Sequence, residues 1–244
     1  MAAMDNKCRY YDLHSHILPK MDDGSRSPDE SVQMLRLSRE QGAAGIMATS
    51  HYYPREPVEQ FLSRRQRSYE MLCEALSQVQ DPLPEVCLGA EVAYHSGLIY
   101  EERLASLCMG NSRYLLLELP FSRWEPSVLR DVQALRRVQG VVPIIAHVER
   151  YWKIQDSKTM SKLLEMDVLI QMNGEAYLDP HSRRLAKKLL KGGVIQVMGS
   201  DCHNMDRRPP NLGPALQELG KGKLAEQRED ILWQNEKIFM AARG

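Results

Sequence analysis

The sequence carries no net charge, because 32 Lys and Arg balance 32 Asp and Glu over 244 residues. That removes the usual electrostatic argument for nucleic acid or an anionic membrane as the main partner, while leaving room for a local basic pocket. Cysteine is sparse. Cys8, Cys73, Cys87, Cys108 and Cys202 are scattered, odd in number and contain no CxxC pair, which argues against a disulfide framework or a zinc ribbon. No apolar run reaches the roughly 20 residues that span a bilayer. No signal-peptide-like apolar region precedes the first polar motif in "MAAMDNKCRYYDLHSH". The expectation is a reduced, cytoplasmic protein with no membrane insertion. No linker, internal repeat or low-complexity tract divides the chain, so a single domain over 1–244 is expected.

What is present has the balance of a soluble globular protein, 43% hydrophobic and 26% charged. Short apolar runs alternate with longer amphipathic ones. Strands are expected at "CRYYDLH" (8–14), "AGIMATS" (44–50), "EVCLGAE" (85–91), "YLLLEL" (114–119), "VVPIIAH" (141–147), "DVLIQMN" (167–173) and "VIQVMGS" (194–200). Each reads as a strand buried on both faces. One helix starts at Ser27, with Ser27 as N-cap, Pro28 at the first helical position and Glu30 completing a capping box. Others are expected near 57–80, 126–139, 157–165, 181–191 and 223–241. Seven strands alternating with helices imply one α/β barrel of parallel strands.

Polar residues gather at one end of these strands. His14 and His16 follow the first, His51 the second, Glu91 and Glu118 end the third and fourth, His147 ends the fifth, and Asp201 and His203 follow the seventh. In a parallel barrel all strand C-termini open onto one face, where active sites are built. A lone His or Glu after a strand ordinarily caps a loop or joins an ion pair. That explanation does not extend comfortably to all of these positions. Glu91 in "LGAEV" and Glu118 in "LLLELP" would be buried carboxylates with no partner in sequence, and a metal ion is the natural compensation.

In His14-Ser15-His16 the i, i+2 spacing puts both imidazoles on one side of an extended segment. Asp201-Cys202-His203 supplies a matching pair from the last strand. Mixed His and carboxylate ligation without thiolate suits Mn, Fe or Zn, and more than four such ligands implies two or three ions. Clusters of this kind hydrolyse phosphate esters, using a water whose pKa the metal lowers. Arginines beside them bind the phosphoryl oxygens in forked geometry. Arg150 in "HVERYW", with Arg207 and Arg208 in "DCHNMDRRPP", are the candidates.

At this point "DLHSHILPKMDDGSRSPDESVQMLRLSREQG", "ATSHYYP", "GAEV", "LLLELP", "IIAHVERY" and "GSDCHNMDRRPP" together resemble the bacterial CpsB/YwqE-type tyrosine phosphatases of the polymerase-and-histidinol-phosphatase (PHP) superfamily. The resemblance runs from about Tyr11 to the C-terminal helix. It implies a distorted (β/α)7 PHP barrel, TIM-like, with a trinuclear and usually manganese centre at the C-terminal end of the strands. Carried over position by position, His14, His16, Glu91 and Asp201 would hold a first ion. Glu91 would bridge to a second, completed by Glu118 and His147. Asp23, His51 and His203 would hold the third. Arg150 and Arg208 would bind phosphate. The implied substrate is phosphotyrosine on the C-terminal tail of a bacterial tyrosine autokinase that controls capsule or exopolysaccharide synthesis.

The chain departs from the resembling pattern in "TSHYYP", where "TPHH" is commoner, and in "LPKMDDG", where "LPGIDDG" is commoner. Neither change removes a ligand, and Lys20 adds a charge near the mouth. Tyr52, with Tyr53, is a candidate lining for an aromatic substrate. Asp22 is read as a turn residue. Three rivals remain. Cys202 and Arg208 match the C-x5-R spacing of cysteine-dependent phosphatases, but the residues between them, His-Asn-Met-Asp-Arg, are not the small loop that cradles phosphate. A related barrel acting on histidinol phosphate or another small phosphomonoester keeps the metals and changes the substrate. A non-catalytic module binding the kinase tail would be expected to have lost ligands. Oligomerisation is left open.

Overall fold

The computed structural model describes residues 8–244; residues 1–7, part of the segment searched for a leader and of the expected domain, lie outside the described residues. The described strands are β1 (Tyr10–Ser15), β2 (Ala43–Ala48), β3 (His51–Tyr52), β4 (Glu85–Leu88), β5 (Glu91–Ala93), β6 (Tyr114–Glu118), β7 (Val142–Ile145), β8 (Leu169–Asn173) and β9 (Val197–Gly199). Their pairings are parallel, in the orders β1-β2-β4 and β3-β5-β6-β7-β8-β9.

The expected strand 44–50 ends at Ala48 and is followed by a further short strand past its expected end, and the expected strand 85–91 is interrupted and runs on to Ala93. Only Thr49-Ser50 separates β2 from β3, and only Gly89-Ala90 separates β4 from β5. Main-chain bonds continue across the breaks: Gly89 N–H donates to Ala48 O at 2.9 Å and Glu91 N–H to Thr49 O at 3.1 Å. Each pair is therefore one barrel strand that bends and passes from the first sheet to the second. The ring closes where Asp201 N–H donates to His14 O at 2.7 Å and His16 N–H to Cys202 O at 2.8 Å. Seven barrel positions result, as expected from the alternation of apolar runs.

Residues alternate between two cores. Tyr11 and Leu13 of β1 point inward with Met47, Leu116, Ile144 and Val197, while Tyr10 packs outward against the helices. Phe239 of the last helix fills the inner core and stacks on Tyr11 at 4.8 Å between ring centroids. Gly45 makes room for it, since a Cβ there would stand 2.4 Å from the Phe239 ring. That plug sits near the strand beginnings, leaving the strand ends free for chemistry.

Helices α1 (Pro28–Glu40), α2 (Val58–Leu76), α3 (Pro126–Gln139) and α4 (Ser157–Leu164) follow the expected pattern, as do α6 (Arg183–Lys191) and α8 (Ala225–Arg243). α5 (Gly174–Leu178) and α7 (Leu212–Gly220) were not expected: the first is only five residues long, and the second has Pro214 in its first turn and glycine near each end. At α1, Ser27 Oγ accepts from Glu30 N–H at 3.2 Å, as a cap should. The capping box is incomplete. Glu30 turns its carboxylate to the Arg26 N–H at 2.8 Å and to the Arg26 guanidinium.

Candidate metal centre

His14 and His16 leave the end of β1 side by side and are fully buried. Backbone without side chain presses on each. A Cβ at Gly199 would lie 2.5 Å from the His14 Cβ, and one at Gly24 would lie 2.5 Å from the His16 Cβ. The two Nε2 atoms stand 3.4 Å apart. His14 Nε2 is 3.2 Å from Glu91 Oε2 and 3.4 Å from Asp201 Oδ1. His16 Nε2 is 3.3 and 3.4 Å from the same two oxygens. This is the expected first group.

Glu91 presents its other oxygen to a second group. Oε1 lies 2.9 Å from His147 Nε2, which is also 3.3 Å from Glu118 Oε1. A third group surrounds Asp23, whose Oδ1 is 3.5 Å from both His51 Nε2 and His203 Nε2. The groups are more interlaced than the resemblance implied. His51 reaches Asp23 with Nε2 and Glu91 Oε2, at 3.1 Å, with Nδ1. His16 also falls within reach of Asp23, His51 and His203. Glu118 is 14% exposed rather than buried, because it faces the mouth.

The second ring nitrogens show what the first ones are for. His16 Nδ1 contacts Asp22 Oδ2 at 2.8 Å, His203 Nδ1 contacts the Asp201 carbonyl at 3.0 Å, and His14 Nδ1 faces Gln171 Oε1 at 3.4 Å. Acceptors at Nδ1 hold the proton there and leave a lone pair on Nε2, the tautomer that metal ligation requires. Those lone pairs converge on carboxylate oxygens. Glu91 Oε2 is buried and has no hydrogen-bond partner, although three histidine nitrogens lie within 3.3 Å of it. A buried carboxylate oxygen this close to three imidazole nitrogens needs positive charge beside it, whether a metal ion or a proton on a ring. The residues therefore fit divalent metal, and Glu91 is among those that would hold it.

The electrostatics agree. Burial alone would lower the His16 pKa, but Asp22, Asp201 and Glu91 outweigh it and raise it well above the usual value. Burial likewise opposes charge on His147, yet Glu118 and Glu91 lift it to about 9. Burial would raise Glu91 and Asp201, and the histidines facing them hold both well below the carboxylate range. The site is thus an anionic cradle that draws cations or protons.

Two arginines reach the cradle. Arg150 Nη2 and Arg208 Nη2 each stand 2.5 Å from Asp201 Oδ2, and Arg208 Nη1 is 2.9 Å from His203 Nε2. Both side chains remain about one-third exposed, at 35% and 31%. Arg207 is not brought in. Its side chain is exposed, and its N–H is one of three in that loop donating to Asn204 Oδ1.

Tyr52 also fails as a substrate contact. It is 3% exposed and packs edge-on against Phe61 at 5.3 Å. The period of two along β3 explains this: His51 faces the site, Tyr52 the core, and Tyr53 the site again. Tyr53 is half exposed and stacks on His51 at 5.3 Å. Lys20 is exposed and adopts φ 58°, a left-handed conformation that glycine takes without strain.

Three positioning residues escaped the sequence reading. Asp22 orients His16. Gln171 Oε1 accepts from the His147 N–H at 2.6 Å, and its amide donates to Asn173 Oδ1 at 2.8 Å. Asn173 then donates to Asp201 Oδ2 at 2.8 Å. The available signal was Gln and Asn alternating inward at the end of an otherwise apolar strand. His147 and Asp201 themselves adopt φ 33° and 53°, strained for non-glycine residues and concentrated at the site. Cys202, by contrast, is fully buried, and burial and Asp12 push its thiol up to about 12. No phosphate can reach it, and the cysteine-dependent rival fails on geometry.

A parallel barrel with a histidine–carboxylate cluster and two forked cations at its strand ends has the form of a metal-dependent hydrolase for anionic esters. The model for the capsular polysaccharide synthesis family CpsB/CapC matches residues 10–241, and the chain belongs to that family. The tyrosine-protein phosphatase CpsB of Streptococcus pneumoniae is 29% identical over 94% of this chain and 98% of its own length. The tyrosine-protein phosphatase YwqE of Bacillus subtilis is 27% identical over 93% of each. A solved structure from work on YwqE of Bacillus subtilis and CpsB of Streptococcus pneumoniae, described there as metal-dependent tyrosine phosphatases, superposes with a TM-score of 0.81 at 24% identity. It covers 95% of this chain and 94% of that one. It shares the fold.

Proposed function

We propose that this chain is a metal-dependent protein-tyrosine phosphatase. Its substrate would be phosphotyrosine on the C-terminal tail of a bacterial tyrosine kinase that governs capsular or exopolysaccharide synthesis. The observation that carries the reading is the orphaned Glu91 Oε2 among three histidine nitrogens, beside two partly exposed arginines. Family membership and the names of the relatives support the substrate class. The whole of 1–244 would act as one domain in the cytoplasm. No described helix is long and apolar enough to cross a membrane.

Manganese, as two or three ions, suits the oxygen and imidazole donors, with iron or zinc as alternatives. When bound, the ions would supply a water nucleophile near neutral pH and positive charge for the phosphoryl oxygens. His14, His16, Glu91 and Asp201 would hold one, Glu118 and His147 a second, and Asp23, His51 and His203 a third. Arg150 and Arg208 would grip the non-bridging oxygens and neutralise charge that grows in the transition state. Asp201 would fix both arginines while ligating, and Asn173 and Gln171 would keep it and His147 in place. The leaving phenolate has a pKa near 10, so it departs with less help from a proton donor than an alkoxide needs.

The test compares manganese-loaded protein on a phosphotyrosine peptide, the same peptide with phosphoserine, and histidinol phosphate. The reading expects the phosphotyrosine peptide to give the highest kcat/KM. A higher kcat/KM on histidinol phosphate would move the enzyme to small phosphomonoesters.

A further inference from the structure

Two large aromatic side chains are left half in water at the metal centre. Tyr53 is 50% exposed and Phe121 is 52% exposed. Each lies over a ligand histidine. Tyr53 stacks on His51 with centroids 5.3 Å apart and an interplanar angle of 26°, and Phe121 stacks on His147 at 5.6 Å and 23°. Those two histidines contact different oxygens of Glu91, His51 Nδ1 at 3.1 Å from Oε2 and His147 Nε2 at 2.9 Å from Oε1. The aromatics therefore come from the β3 end and the β6–α3 loop and stand over two histidines that contact the two oxygens of one carboxylate.

Phe121 is not exposed through slackness of its loop. Leu119 N–H donates to the Tyr151 hydroxyl at 2.8 Å, Trp124 Nε1–H donates to Pro120 O at 2.8 Å, and Gln155 Nε2–H donates to Ser122 O at 2.7 Å. Every residue flanking Phe121 is thus tied down. Its own ring rests on Tyr151 at 5.5 Å, and Tyr151 is wedged in turn by Trp124 at 5.1 Å. Tyr53 is held by strand alternation, with Tyr52 anchored in the core beneath it. A rigid frame that keeps a phenyl face in water, instead of burying it, is a surface prepared for an apolar ligand.

We propose that Phe121 and Tyr53 form an aromatic pair that receives the ring of the substrate, making this site selective for aryl over alkyl phosphate esters. The inference rests on the phosphatase reading above and deepens it, because it assigns to two side chains the discrimination that the metals and arginines cannot make. Those groups recognise a phosphoryl group on any ester. Ring-on-ring packing is worth about 2- to 10-fold per contact, so two contacts separate phenyl from methyl by roughly 10-fold or more.

The experiment is equilibrium calorimetry on the manganese-loaded full chain, with phenylphosphonate and methylphosphonate as probes. The wild type is expected to bind phenylphosphonate about 10-fold more tightly. Phe121→Ala and Tyr53→Ala are each expected to lose about 2- to 10-fold of phenylphosphonate affinity and to leave methylphosphonate unchanged. Phe121→Leu and Tyr53→Phe, which keep most of the packing, guard against misfolding and should retain most of the preference. Equal affinities in the wild type would overturn the pair, as would variants that weaken both probes alike. Aryl selectivity without hydrolysis of phosphotyrosine peptides would refute the phosphatase reading and leave the pair standing. Hydrolysis without aryl selectivity would refute the pair alone.

Discussion

Asp22→Asn is the substitution with the most to reveal, because the change is nearly isosteric and the bonds it disturbs are all of one kind. Asp22 Oδ2 accepts from His16 Nδ1 at 2.8 Å and from the His51 N–H at 2.9 Å, and Oδ1 accepts from the Gly24 N–H at 2.9 Å. All three partners are donors. An asparagine offers one oxygen and one NH2, so in either orientation its NH2 faces a donor. A part-buried hydrogen bond to a charged acceptor is lost, at a cost of about 1.5–3 kcal/mol. Loss of a carboxylate behind a ligand histidine lowers metal affinity by about 10- to 100-fold, or about 1.4–2.8 kcal/mol. The assay is calorimetric titration of manganese into the metal-free variant, with Asp29→Asn as control. Asp29 is exposed in the first turn of α1, so that variant removes the same charge without touching the site. Asp22→Asn should bind manganese 10- to 100-fold more weakly, and Asp29→Asn should match the wild type. Wild-type affinity in Asp22→Asn, or equal losses in both, would refute the reasoning.

Two further substitutions separate the chemistry from the scaffold. Asp201→Asn should cut turnover by more than about 100-fold, beyond the loss expected for an outer partner. Cooperative melting should survive, because asparagine tolerates the left-handed conformation that residue 201 adopts at φ 53°; a loss of turnover that merely tracks unfolding would contradict this. Cys202→Ser should keep phosphatase activity and metal content, since the buried thiol touches no substrate. Abolished activity at unchanged metal content would restore the cysteine mechanism.

The barrel was legible because seven apolar runs alternate with amphipathic ones, and the candidate ligands were legible because all but Asp23 end or follow such a run. The breaks inside two of those runs were not. Thr49-Ser50 and Gly89-Ala90 are small residues that continue an apolar-looking segment, and only the change of sheet partner shows the bend. Asp22 was read as a turn residue because its partner, His16, becomes its neighbour only when the loop folds back. Gln171 and Asn173 sat in plain view at a strand end, but their targets lie on other strands. Of the two candidate tyrosines, alternation separates them: with His51 at the site, residue 53 points there and Tyr52 points into the core. Adjacency does not separate Arg207 from Arg208, whereas the resemblance favours Arg208, and its side chain is the one that reaches Asp201 and His203 while Arg207 is exposed.

The central claim is that bound metal, held by the histidines and carboxylates around Glu91, carries the activity. The direct measurement is phosphotyrosine-peptide hydrolysis by protein stripped with chelator, verified metal-free by elemental analysis, and then titrated with manganese. The account predicts no turnover in the stripped protein and recovery that saturates at two or three ions per chain. Full turnover in the verified metal-free protein would contradict it.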